Sequence, residues 1–102
     1  MDPHAQAIER VSEAILETPG DTAPELRRAI SSYASGDGGD PPAELRPYVD
    51  KVARHAYKVV DGDIERLREA GYSEDAIFEL TLAAALGAAR VRLEAGLAAL
   101  ER

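Results

Sequence analysis

The sequence predicts an all-α protein, a small helical domain of about five helices that ends in a long, alanine-rich helix. Apolar residues recur every three or four positions along most of the chain, which is the period of an amphipathic helix. Alanine, the strongest helix former, occurs 19 times in 102 residues. No segment alternates apolar and polar residues as a half-buried strand does. The length suits a single domain over residues 1–102, divided into an N-terminal helix pair (1–36) and a helical core (41–102).

The first helix is predicted from Asp2 to about Thr18. Asp2 can act as its N-cap, and Pro3 occupies the first helical position, where a missing N–H is tolerated. Pro19 and Gly20 then stop the helix.

A second helix is predicted to begin at Thr22 and to end near Gly36. Thr22 and Glu25 have the spacing of a capping box, in which each side chain accepts a hydrogen bond from the other residue's N–H. Residues 36–42 are rich in glycine, aspartate and proline and form the clearest break in the chain. The break is short, so we expect a loop and not a linker between domains.

Pro47 is predicted to open the third main helix, which continues until residues 61–63 interrupt it. Asp61 and Asp63 then cap a short fourth helix that ends at Gly71, a residue type favoured just beyond a helix C-terminus. One side of the third helix is apolar at helical spacing. Its members are Val49, Val52, Ala53, Ala56, Val59 and Val60.

The fifth helix is predicted from the N-cap Ser73 to about Leu100. At ~1.5 Å per residue it would be about 42 Å long, whereas a compact chain of this size has a radius of gyration of ~13 Å. Residues 83–89 are small or apolar on every side, which is typical of a buried helix. Length and burial together predict a homo-oligomer (dimer, trimer or hexamer) with the 73–100 helix at the interface. The alternative is a bend at Gly87 that folds the helix back on its own chain.

Composition argues against several classes of function. A formal net charge of −7, with basic residues scattered among the acids, disfavours nucleic acid and anionic membranes as partners. The absence of cysteine excludes disulfides and thiol chemistry, and two distant histidines give no zinc signature. We expect no cofactor and no metal. No signal peptide or transmembrane run is visible, so a cytoplasmic location is expected.

The reactive side chains concentrate on the predicted third helix. His55 borders the apolar side of that helix, and imidazole can give or take a proton near neutral pH. Glu44 precedes the helix and is the nearest acid that the fold could return toward it. We take His55 and Glu44 as the candidate catalytic residues. The simpler alternatives, which the sequence favours, are a boundary histidine that makes one hydrogen bond and a solvent-exposed or helix-capping glutamate. The candidate ligand-binding residues are Tyr48, Lys51, Tyr57 and Lys58.

Residues 67–80 (LREAGYSEDAIFEL), followed by an alanine-rich helix ending in 92–97 (RLEAGL), resemble the alkylhydroperoxidase-D-like (AhpD-like) and carboxymuconolactone decarboxylase superfamily. The resemblance covers about half of the chain. It implies a short helix, a glycine turn with a capped start, and a long alanine-rich helix in an AhpD-like orthogonal arrangement.

Active peroxidases of that superfamily carry Cys-x-x-Cys, a histidine three residues later and an upstream relay glutamate. With Gly71 as the anchor, the cysteines would fall near Ala56 and Val59 and the histidine near Asp63. Only Glu44 lies roughly where the family has its glutamate. Since the thiolate is the nucleophile, the resemblance implies the fold and an assembly without thiol peroxidase activity.

Three functional hypotheses follow. The first is a non-catalytic or cryptic superfamily member that is oligomeric and binds a small molecule or a partner protein. The second is a lactone decarboxylase-like or isomerase-like enzyme that uses His55 as acid and base. The third is a helical adaptor outside the superfamily, whose apolar helix docks a different protein.

Overall fold

The computed structural model describes residues 3–102 and is all-α over that range, as predicted. Two short 3-10 turns, Ala43–Leu45 and Ala56–Lys58, flank the third helix. Asp2, the predicted cap of the first helix, lies outside the described residues. The α-helices are α1 (Pro3–Glu17), α2 (Pro24–Ser35), α3 (Arg46–Arg54), α4 (Asp61–Glu69) and α5 (Glu74–Leu100).

Helix α5 is the central element, and α1, α2, α3 and α4 all contact it. The core lies where α2 and α3 pack on the first half of α5, and its completely buried members include Ile30, Val49 and Leu80. Gly87 lets α2 and α5 approach closely, because a Cβ atom at this position would lie 2.2 Å from the carbonyl oxygen of Ser31. The second half of α5 extends beyond this core and gives the molecule its longest dimension, 47 Å.

The helix ends predicted from glycine and serine are confirmed. Gly71 follows α4 with a φ of 101°, and Gly36 follows α2 with a φ of 83°, a left-handed conformation that glycine adopts without steric cost. At the start of α5, the hydroxyl of Ser73 accepts a hydrogen bond of 3.0 Å from the N–H of Ala76. These signals are local in sequence, and they fix the turn between α4 and α5.

The predicted capping box of the second helix is wrong. Helix α2 begins at Pro24 after Ala23, which makes no side-chain cap. The hydroxyl of Thr22 instead donates to the carboxylate of Glu79 at 2.6 Å, and the N–H of the same threonine donates to it at 2.8 Å. A partner on α5 therefore replaces the local cap.

The third helix is shorter than predicted. It ends at Arg54, and His55 leaves the helical region with φ −145° and ψ 51°. The N–H of Val60 donates to the carboxylate of Asp63 at 2.9 Å. In a continuous helix this N–H would instead donate to the carbonyl of Ala56, four residues earlier. Val60 is consequently 57% exposed and is not part of a buried apolar side. Asp63, by contrast, caps α4 as expected.

Helix α5 runs without interruption from Glu74 to Leu100, so the alternative of a helix folded back at Gly87 is wrong. Ala85 and Ala89 are exposed, which means that the chain by itself leaves one side of this helix uncovered. None of the helices described over residues 3–102 combines the length and apolar character needed to cross a membrane.

Candidate functional site

Three of the predicted site residues lie on the surface turn that follows α3. His55 and Tyr57 are exposed, and their rings meet edge to face with centroids 6.1 Å apart. The ammonium group of Lys58 lies 5.9 Å from the centre of the Tyr57 ring, within the range of a cation–π contact. Because Tyr57 is 80% exposed, this group is a small solvated cluster on a convex turn.

Lys51 points away from that cluster and binds Asp63. Its ammonium group donates to both carboxylate oxygens, at 2.8 and 3.1 Å. This hydrogen bond, together with the one from the Val60 N–H, outweighs burial and lowers the pKa of Asp63 below its ordinary value. The pair joins α3 to the start of α4, so Lys51 has a structural role in the chain as it stands.

Tyr48 and Glu44 are also engaged elsewhere. Tyr48 is buried, and its hydroxyl lies 2.8 Å from that of Thr81 on α5. Thr81 donates to the carbonyl of Ile77 at 2.6 Å, so the tyrosine is the donor in the first contact. Glu44 accepts a hydrogen bond of 3.1 Å from the hydroxyl of Tyr72. Burial of Tyr72 and this bond to Glu44 both raise the pKa of the phenol.

The predicted residues therefore divide into four places: the surface turn, the junction between α3 and α4, the contact of Tyr48 with Thr81 and the contact of Glu44 with Tyr72. The catalytic roles of His55 and Glu44 stay predictions. Acid and base chemistry would need a concave site shared with a substrate, whereas the clefts described below are lined by other side chains. Within residues 3–102, no three histidine or carboxylate side chains lie close enough together to hold a metal ion.

A buried polar junction that the sequence did not predict joins α1, α2 and α5. Glu79 accepts hydrogen bonds from the N–H of Asp21 and from the N–H and hydroxyl of Thr22. Burial alone would raise the pKa of this carboxyl, but the hydrogen bonds prevail and lower it. Arg27 is 2% exposed and donates to the carbonyl of Ile15 at 2.9 Å. The junction anchors the α1–α2 loop on α5.

A polar cleft of about 540 Å³ lies between α2 and the second half of α5. Hydroxyl and guanidinium groups are typical anion ligands, and both types face this space. Arg90, however, has Glu94 within 3.9 Å, and Arg28 pairs with Glu17. The cleft is therefore close to charge-balanced and does not select an anion. Its polar lining comprises Arg28, Ser31, Ser32, Ser35, Asp37, Arg90 and Glu94.

An apolar stripe runs along the exposed side of α5. At 100° per residue, its seven members fall within a sector of about 80° on the helix. Phe78 is 64% exposed, Leu93 45% and Leu100 83%. The set, which we call the α5 stripe, contains no charged or polar side chain. Its members are Phe78, Leu82, Ala85, Ala89, Leu93, Gly96 and Leu100.

Helix α1 extends this apolar surface on one side. A cleft of about 270 Å³ separates α1 from α5, and most of its lining is apolar. Val11, which is 54% exposed, faces Ala89 and Leu93 across the cleft. Contiguous exposed apolar surface of this kind marks an interaction site more often than a scattered leucine does. The sequence carried the signal, since the stripe residues recur at intervals of three or four.

Comparison with known proteins identifies no relative of this chain: no protein-family model, no curated protein and no solved structure matches it. The resemblance drawn from residues 67–97 therefore stays a prediction, and the surface geometry is the main guide to function.

Proposed function

We propose that this protein is a non-catalytic homo-oligomer that assembles through the exposed side of α5. The α5 stripe is the observation that carries the proposal. It runs along a helix whose opposite side forms the core, and it leaves three large apolar side chains in water. Covering them with another copy removes apolar surface from solvent. This burial stabilises an interface by roughly 25 cal/mol for each Å².

The order of elements supports the superfamily resemblance as part of this proposal. A short helix, a glycine turn at Gly71, the capping Ser73 and the long alanine-rich α5 follow one another as that resemblance implies. Without cysteine, a member of the superfamily would lack the thiol nucleophile of its peroxidases. We accordingly propose a cysteine-free, AhpD-like assembly that binds a partner or a small molecule and is located in the cytoplasm.

The native mass measured by light scattering, over a range of concentrations, tests the proposal. We expect a multiple of the 10.9 kDa chain mass. Ala89→Glu places a charge in the middle of the stripe and should shift the mass to that of one chain. Ala98→Glu is a matched control, since this exposed alanine lies half a turn away from the stripe on the same helix. It should leave the oligomer intact.

A native mass of one chain at every concentration would contradict the proposal. The exposed stripe would then favour the adaptor hypothesis, in which a different protein covers α5. An Ala89→Glu variant that keeps the native mass of the wild type would also contradict it, because the oligomer would have to use another surface.

A further inference from the structure

The α5 stripe is complementary to itself when two copies of the helix run antiparallel. If Ala89 lies on the two-fold axis, each stripe residue before it faces the residue the same number of positions after it. Large side chains then meet small ones near the axis, and two large side chains meet at each end. The facing pairs are Ala89 with Ala89, Ala85 with Leu93, Leu82 with Gly96, and Phe78 with Leu100.

From this register we infer that the chain forms an antiparallel α5–α5 dimer centred on Ala89, with a second copy as the occupant of the stripe. The inference rests on the proposed function and specifies its interface. Facing pairs of one large and one small residue allow helix axes to approach to about 8 Å, the short end of the usual range.

Gly96 provides independent support. A Cβ atom at Gly96 would meet nothing within 4 Å in the chain itself, unlike one at Gly87, which α2 excludes. Glycine within a helix is less stable than alanine by about 0.5–1 kcal/mol, and no contact inside one chain accounts for this cost. In the antiparallel dimer, Leu82 of the second copy fills the space beside Gly96.

Charge also favours the antiparallel direction over the parallel one. Glu74 and Asp75 form the acidic first turn of α5. The antiparallel register sets the positive end of each helix dipole near the negative end of the other. A parallel pair would bring the two acidic turns together and would set Gly96 against Gly96, which leaves a gap.

A stable dimer needs apolar area from α1 as well as from the α5 stripe. From Phe78 to Leu100 the stripe is about 33 Å long at ~1.5 Å per residue. A contact about 10 Å wide along this length buries on the order of 660 Å² over both copies, which is less than the ~1,200 Å² of a stable interface. Val11 and Ile8 border the stripe across the apolar cleft. Their burial by the second copy supplies further apolar area.

Disulfide trapping tests the register, because the natural chain contains no cysteine that could interfere. Ala89→Cys places two thiols face to face on the axis and should give a covalent dimer under mild oxidation. A mixture of Ala85→Cys and Leu93→Cys chains should cross-link with each other. Each of these two variants alone should stay uncross-linked, since like positions are about 12 Å apart along the axis, beyond the reach of a disulfide. Ala98→Cys serves as the control and should remain reduced.

The outcomes separate this inference from the proposed function. An oligomeric native mass combined with cross-linking of Ala85→Cys to itself and of Leu93→Cys to itself would indicate a parallel pair and overturn the inference alone. An oligomer in which only Ala98→Cys cross-links would overturn both proposals, because it would assemble through the side of α5 opposite the stripe. A wild type that is monomeric by light scattering, with no cross-linking in any variant, would overturn both. Gly96→Ala supplies a second readout, since it should weaken dimerisation at least several-fold while the isolated chain stays folded.

Discussion

Replacement of Gly87 by alanine should destabilise the fold, even though alanine is the better helix former. The new Cβ atom would lie 2.2 Å from the carbonyl oxygen of Ser31 and 2.9 Å from the Cβ of Ala34. Ordinary non-bonded contacts are about 3.5 Å, so α2 would have to retreat by roughly 1 Å. The obstructing oxygen belongs to the backbone and cannot rotate away as a flexible side chain would.

Overpacking of this kind costs about 1–3 kcal/mol, and a rigid neighbour favours the upper half of that range. The higher helix propensity of alanine offsets up to ~1 kcal/mol of this cost. We therefore expect Gly87→Ala to lower the free energy of unfolding by about 1–2 kcal/mol. For a domain of about 100 residues, each kcal/mol shifts the melting temperature by about 4–8 °C, so the Tm should fall by roughly 5–15 °C.

Thermal unfolding followed by circular dichroism at fixed protein concentration measures this effect. Gly62→Ala in α4 is the matched control, since its Cβ would meet only the guanidinium of Arg66, at an ordinary 3.9 Å. This variant should melt at or slightly above the wild-type temperature. If Gly87→Ala melts as high as Gly62→Ala, the close approach of α2 and α5 is not the reason for the glycine.

Three further predictions concern the polar groups. Glu79→Ala leaves three donors of the α1–α2 loop unpaired and should destabilise the fold by about 1–3 kcal/mol in urea unfolding, whereas Glu69→Ala at an exposed position of α4 should change stability little; equal effects would contradict the anchoring role. Since the folded-state pKa values of Asp63 and Glu79 are lowered, their stabilisation should be complete above the unfolded values of about 4 and be lost as the pH falls through the folded values. Asp63→Asn should flatten this acid-side loss of stability, and an unchanged pH profile would refute the assignment. His55→Ala should leave stability within about 0.5 kcal/mol of the wild type, because the ring is exposed; loss of a decarboxylase or isomerase turnover in this variant, with its fold intact, would instead support the enzymatic alternative.

Local signals in the sequence predicted most of the helix ends. The hydroxyl of Ser73 and the backbone of Gly71 act on residues three or four positions away, so their roles are visible in a short window. Thr22 carried an equally good local signal, yet its partner Glu79 lies 57 residues further along the chain. A capping pattern cannot reveal that a tertiary partner competes for the same side chain, and for this reason the predicted capping box was wrong.

The candidate site was less predictable because it depended on a helix that ends early. Placing His55, Tyr57 and Lys58 on the predicted third helix assumed continuous helical geometry past Arg54. Asp63 accepts hydrogen bonds from the Val60 N–H and from the Lys51 ammonium group. These contacts hold the chain in the turn between α3 and α4.

The α5 stripe was present in the sequence, but alanine hides it. Ala83, Ala84 and Ala88 line the core, whereas Ala85 and Ala89 face solvent. Since the same small residue occupies both sides of the helix, its periodicity does not distinguish the buried side from the exposed one. Only the positions of the neighbouring helices make the difference visible.

The position of α5 in the chain has a consequence for how the protein acquires its structure during synthesis. Every other helix packs on α5, and yet residues 74–100 leave the ribosome after all of them. The segments that precede it are short helices, which are marginal in water without tertiary packing. The core therefore closes late, through contacts between residues far apart in sequence, and such contacts slow folding relative to local ones. Until α5 emerges, Ile30, Leu45 and Val49 lack the helix surface that completes their burial.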